Sequence, residues 1–451
     1  VRDFGAVGDE VTNDGPAIRA AVTALNAAGG GTLFFPPGTY LNDGQLRITT
    51  GNVHVQGTPR SVIQQTSTDH TLMIRAADGD VDFTTLTYYD MNGPVSIGAT
   101  TITVTTPADL TTGGFAVGDY IWIRARQCIS PPATAVKQPV AEINQIRALN
   151  VGTGVVTLEW PTVKEYTDDV AYPFGIAKAA GNGAIFPRVR VSDLRIVSVG
   201  PRFPIYMQNI VDGTFERLIL EGAIGAVIRG RFIRFINNRC HINPVNTLGD
   251  GPYYIAPDTG SSDYTIAHNQ FTSKGVGAIH LHEGLANILV DDNTCLQDTG
   301  ETYVHSIPWG VVSIAATSWD ITVRNNRIVN GKYNGVRATN SGMYAGAGHT
   351  RLRVIENTIH GTIGVRGIVV DSESTQAVVV NNRVPAACGT SSMSIAANEC
   401  VVEGNTVTSA GSVTGTNMRV LHNIGNGLRP QLIGMSADRG DTDVTVTVAG
   451  D

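Results

Sequence analysis

Three titratable side chains fall within four positions at His280, His282 and Glu283, in the run IHLHE. Imidazoles and carboxyl groups give and take protons near neutral pH, so the cluster suits acid/base chemistry. Asp258 and Asp371 stand close by in the sequence pattern, each next to an apolar strand-like run. Cleavage of a glycosidic bond needs one carboxylic acid to protonate the leaving oxygen and one carboxylate to activate water or attack. Asp258 and Glu283 are the favoured pair, with His280, His282 and Asp371 in support. Arg229, Tyr254, Glu301, Tyr303, His305, Trp309, Arg337 and Asn340 have the charges, hydroxyls and ring faces that hold a sugar. Alternatives stay open, among them an intramolecular glycosyl transferase or an epimerase using the same residues. A base such as His280 or Tyr254, with Arg229 and Arg337 neutralising a uronate carboxylate, would give β-elimination. A module that cuts nothing would use the same residues only to grip glycan.

These residues need elements to hold them, and a repeat supplies those elements. An Asn recurs in register at 238, 269, 293, 326, 357, 382, 405 and 423, with spacings of 31, 24, 33, 31, 25, 23 and 18. Three residues before each Asn stand Phe235, Ile266, Val290, Val323, Val354, Val379, Val402 and Val420, all apolar; the residue just before each Asn is polar or Gly. Alternation with period two means strands that bury one face. Stacked strands with surplus length confined to loops describe a parallel β-helix, the Asn column forming an amide ladder in one turn. Leu194 and Leu218 take the Asn place in two earlier segments, so the pattern starts by about residue 185. His280 and His282 alternate and face one side together; pointing inward they are core histidines, and at a strand end they edge a groove beside Glu283. Coils lie about 4.8 Å apart, which puts Asp258 and Glu283 roughly 5 to 9 Å apart, the span of the retaining and inverting geometries.

Composition agrees. Of 451 residues 16% are charged and 51 are Gly, as stacked strands and turns require. The net charge of -7 has no basic block, which argues against duplex nucleic acid, and no apolar run is long enough for a membrane span. Five Cys without a CxxC spacing indicate neither a zinc site nor a disulfide framework, and Cys240, Cys295 and Cys400 fall in apolar columns as small core residues. No cofactor or metal is expected. The chain opens at Val1 with no apolar leader, as a mature or trimmed chain would.

The N-terminal segment differs in kind. Asn13 or Asp14 can cap a helix with Pro16 in its first turn, and Ile18, Ala21, Val22 and Leu25 form one apolar stripe ended by Gly29–Gly31. Such a helix can cover the open first coil of a solenoid. The runs DFGAVGD, NDGPAIRAAV and GGGTLFFPPGTYL make this segment resemble the opening of the pectate-lyase-like right-handed β-helix proteins, which include polygalacturonase-type hydrolases and bacteriophage tailspike depolymerases. The resemblance implies an all-β right-handed parallel β-helix, a polysaccharide or oligosaccharide substrate, an extracellular (secreted or virion-associated) setting and often a homotrimer. The Asn-Thr-Asp, Gly-His-Gly and Arg-Ile-Lys signature of the polygalacturonases is absent. The expected organisation is a cap and first coil over 1–45, early coils over 46–93, an antiparallel insertion over 94–166, the main β-helix over 167–430, and a terminal strand over 431–451 that caps the last coil or joins a neighbouring chain.

Overall fold

The computed structural model describes residues 1–76, 86–128, 139–166, 175–199, 202–222, 225–242, 255–257, 260–274, 277–282, 284–298, 310–315, 318–339, 349–408, 411–425 and 444–448. They form a parallel β-helix with an N-terminal helix and an antiparallel insertion, as expected. Each coil contributes strands to three faces. In one coil these are Ile279–Leu281 on the first face, Leu285–Asp291 on the second and Thr294–Gln297 on the third. Long strands such as Ile205–Glu216 and Ala226–Ile236 bend and serve two faces at once, which joins the first and second faces into one sheet. Stacking begins near the N-terminus: Asp9–Asn13, Gly38–Asn42 and Ser61–Gln65 pair in parallel on the third face, and Ser61–Gln65 passes the register to Arg195–Val197 across the insertion. At the far end Val444–Val448 pairs antiparallel with Gly411–Gly415 of the same chain.

The ladder lies between the second and third faces and holds every expected Asn. Each side-chain amide from Asn269 to Asn405 donates to the Oδ1 of the Asn in the next coil at 2.8–3.0 Å. It also donates to a strand carbonyl, as Asn293 does to Ile266 and Asn326 to Val290. The polar column before the ladder has a backbone cause. Asn237, His268, Asp292, Asn325, Glu356, Asn381, Gly404 and His422 all have φ between +49° and +66°, the left-handed turn that apolar and β-branched residues avoid. Asp193 and Arg217 adopt it too, so the turn is kept where Leu194 and Leu218 replace Asn. Cys240, Cys295 and Cys400 are buried and free, filling core columns.

The helix Gly15–Ala27 buries Ile18, Ala21, Val22 and Leu25 against the first coil. Asn13 Oδ1 accepts from the Gly15 amide at 3.0 Å, whereas Asp14, expected as an alternative cap, turns the other way. Its buried carboxylate accepts from the Val7 and Gly8 amides at 2.6 and 3.1 Å and pins the opening loop to the helix. Gly8, at φ +74°, lies flat under the Tyr40 ring, where any Cβ would come within 2.8 Å of it.

The insertion is wider than 94–166: its six-stranded antiparallel sheet runs from Tyr89–Asp90 to Gly175–Lys178. It packs on the outer side of the second face, where Ala286 and Trp319 join one apolar cluster and Val211 and Phe232 another. One buried ionic group ties the two parts. Arg231 donates to Asp263 at 2.7 Å and to the Ile143 and Pro161 carbonyls at 2.8 and 2.9 Å, and lies 3.4 Å from Glu142. Beside it Lys164, fully buried, donates to the Ala141 carbonyl at 2.6 Å; burial pulls its pKa down to about 7 against the opposing pull of Glu142.

Candidate functional site

The first face carries the candidate chemistry because its strands alternate. Ile279, Val312, Val336, Ile368 and Met393 pair in register and fill the core. The next residue of each strand points away from that core, and these form an outer column of His280, Ser313, Arg337, Val369 and Ser394. Towards the N-terminus the backbone register continues from His280 through Ala256 to Val227, Tyr206 and Met73.

His280 and His282 therefore face outward, with Ile279 and Leu281 taking the core places between them. Their rings meet edge to face at 4.4 Å between centroids. Although it faces outward, His280 is only 3% exposed, so its ring is covered on the outer side of the strand. Two rungs on, burial lowers the Arg337 pKa below its ordinary value, and the Asp371 carboxylate opposes that shift. Asp371 follows the core residue Val370, where an irregularity in its strand begins. The strand Arg366–Thr375 runs through it with a slip in register between Val370 and Ser374, and the Ser374 hydroxyl donates to Asp371 at 3.3 Å. Arg229, almost fully buried, lies two residues beyond Val227 on the same face. The structure thus brings His280, His282, Arg229, Arg337 and Asp371 to one face. Asp258, Glu283, Tyr254, Glu301, Tyr303, His305, Trp309 and Asn340 lie outside the described residues. Among the described residues no group of three or more His, Cys, Asp or Glu side chains is placed to hold a metal ion.

Sequence reasoning passed over the N-terminal part of this face. Tyr206 shares the outer column with His280, and Gln208 lies two residues further along the same strand. The coils there lack a ladder Asn from which to count. The alternation in IYMQ, apolar at Ile205 and Met207, was the available signal.

Residues 1–88 match the family described as Rhamnogalacturonase A/epimerase, pectate lyase-like. Over 92 residues the chain is 40% identical to the mannuronan C5-epimerase AlgE1 of Azotobacter vinelandii, a stretch that is 18% of this chain and 6% of that protein. The chain thus spans well under a tenth of that relative. Two solved structures share the fold along nearly the whole chain. The tailspike gp49 of Pseudomonas phage LKA1 matches with a TM-score of 0.58 at 15% identity, covering 94% of this chain and 77% of its own. The Gp54 tailspike of Acinetobacter baumannii bacteriophage AP22, solved with a capsular saccharide of that bacterium, matches at 0.52 and 10% identity, covering 94% and 68%. The resemblance to pectate-lyase-like β-helix proteins stands, by sequence at the N-terminus and by fold throughout.

Proposed function

We propose that this protein is an enzyme acting on an acidic polysaccharide laid along the first face, with His280 and His282 as proton-transfer groups. The observation that carries the reading is the outward pair of contacting imidazoles with Arg229 and Arg337 on the same face. In a uronate the C5 proton is next to the carboxylate. A neutral imidazole accepts that proton, and a guanidinium bound bidentately to the carboxylate stabilises the charge that moves onto it. Expulsion of the C4 oxygen then gives chain cleavage by elimination, while return of a proton to the opposite face gives an epimer. The N-terminal likeness to a C5-epimerase supports chemistry at that carbon.

Hydrolysis is the second reading, favoured by the Asp371 carboxylate on the same face and by the expected pair Asp258 and Glu283. Incubation with acidic and neutral polysaccharides in heavy water separates the readings. Ultraviolet-absorbing unsaturated ends, or deuterium at C5, from acidic polymers alone are the expected outcome. Reducing ends that each gain one water, without deuterium at C5, would establish hydrolysis instead. Binding with no covalent change would mark a glycan-binding module. The reading goes with an extracellular setting, and we propose a homotrimer, to be checked by mass in solution.

A further inference from the structure

Three rungs from His280 towards the N-terminus, three aromatic rings gather at the edge of the same face. His70 stacks on Phe203 at 5.5 Å with planes 2° apart and on Tyr206 at 4.8 Å with planes 24° apart; Phe203 and Tyr206 are themselves 5.7 Å apart. The Phe203 amide donates to His70 Nδ1 at 3.1 Å and fixes the imidazole in the stack. All three residues are half-buried, so each keeps part of its surface open to solvent. Tyr206 belongs to the outer column through its pairing with Met73 and Val227.

Gln208 supplies an independent observation. Met207 fills the core, so its neighbours Tyr206 and Gln208 lie on the opposite, outer side of the strand. Gln208 is 1% exposed, yet neither its amide nitrogen nor its amide oxygen has a hydrogen-bond partner. A buried side chain with two donors and an acceptor left unused destabilises the fold, and such a group points to a ligand that completes it.

We propose that His70, Phe203, Tyr206 and Gln208 form a distal sugar-binding subsite, in which a sugar packs its C–H face on the aromatic stack and bonds the Gln208 amide through a hydroxyl or carboxylate. The register from Tyr206 through Val227 and Ala256 to His280 is three rungs of roughly 4.8 Å, and one rung is close to the advance of one sugar in an extended chain. The subsite therefore holds the sugar about three places from the reacting one and makes the enzyme select long chains. This deepens the function proposed above and rests on its placement of the substrate along this face.

The test is binding by calorimetry, and turnover, with disaccharides and hexasaccharides cut from mannuronan and polygalacturonan. Tyr206→Ala and Phe203→Ala are expected to weaken hexasaccharide binding about tenfold and leave disaccharide binding unchanged, while Tyr206→Phe retains most of the affinity. Gln208→Leu is the sharper variant: it removes unsatisfied polar atoms, so its melting temperature rises while hexasaccharide affinity falls. Equal losses on both lengths, or no loss on the hexasaccharide, would overturn the subsite. Binding without turnover by the parent overturns the enzymatic reading and leaves the subsite decided by the length dependence. No binding of either series by the parent overturns both.

Discussion

Replacing His349 by leucine is expected to stabilise the protein and to remove much of its sensitivity to mild acid. His349, in the short strand His349–Thr350 between Ser318 and Thr375, is 1% exposed, and neither ring nitrogen has a hydrogen-bond partner. Burial alone lowers its pKa from 6.5 to about 4. Between those two values the unfolded chain takes up a proton that the native state refuses, so stability rises with pH there. The contribution is whole above 6.5 and is lost as pH falls towards 4. At 1.36 kcal/mol per pH unit the full loss is about 3 kcal/mol, of which about 2 kcal/mol is gone at pH 5. His349→Leu, of similar size, keeps the packing and removes both orphan nitrogens, adding about 1–3 kcal/mol at neutral pH. Urea unfolding of parent and variant at pH 7.5 and pH 5.0 reads the difference. Hydrogen exchange of the Ser318–Arg324 strand reports the same change locally, which matters because stacked repeats can open in parts. An unchanged gap between the two pH values in the variant would refute the reasoning.

Other expectations follow from the same structure. Arg231→Met strands the buried Glu142 and leaves Asp263 without its guanidinium, and is expected to destabilise by about 3–5 kcal/mol and expose the insertion to protease; adding Glu142→Gln should restore part of the melting temperature. Asn326→Ala removes the acceptor for Asn293 and the donor to Val290, costing about 3 kcal/mol by denaturant unfolding, whereas exposed His268→Asn, which suits the left-handed turn, changes little. His280→Gln is expected to lower kcat by about 10²–10⁴ with a normal melting curve, read on whichever acidic polymer the parent turns over.

The ladder could be read from the sequence because its turn imposes two demands at once, an amide at the ladder place and a left-handed residue before it. Those demands recur from Asn238 to Asn423 whatever the intervening loop. On the first face, His280, His282 and Asp371 could be read because they stand in coils that carry a ladder Asn, beside apolar strand-like runs. Tyr206 and Gln208 were missed because Leu218 holds the ladder place of their coil, and His70 because its partner Phe203 lies 133 residues away, beyond the insertion. Alternation settled the direction of His280 and His282 only once Ile279 and Leu281 were seen to fill the core. The strand parity of IHLHE could not decide between its two faces, since a histidine pair can be buried either way.

The amide ladder has a consequence for how such a chain can diversify. Its rungs are aligned in space while their separations along the chain vary from 18 to 33 residues. An inserted or deleted loop therefore leaves the strands on either side of it in register. Loops on this scaffold can be edited singly, each edit insulated from the next by a rung that stays where it was.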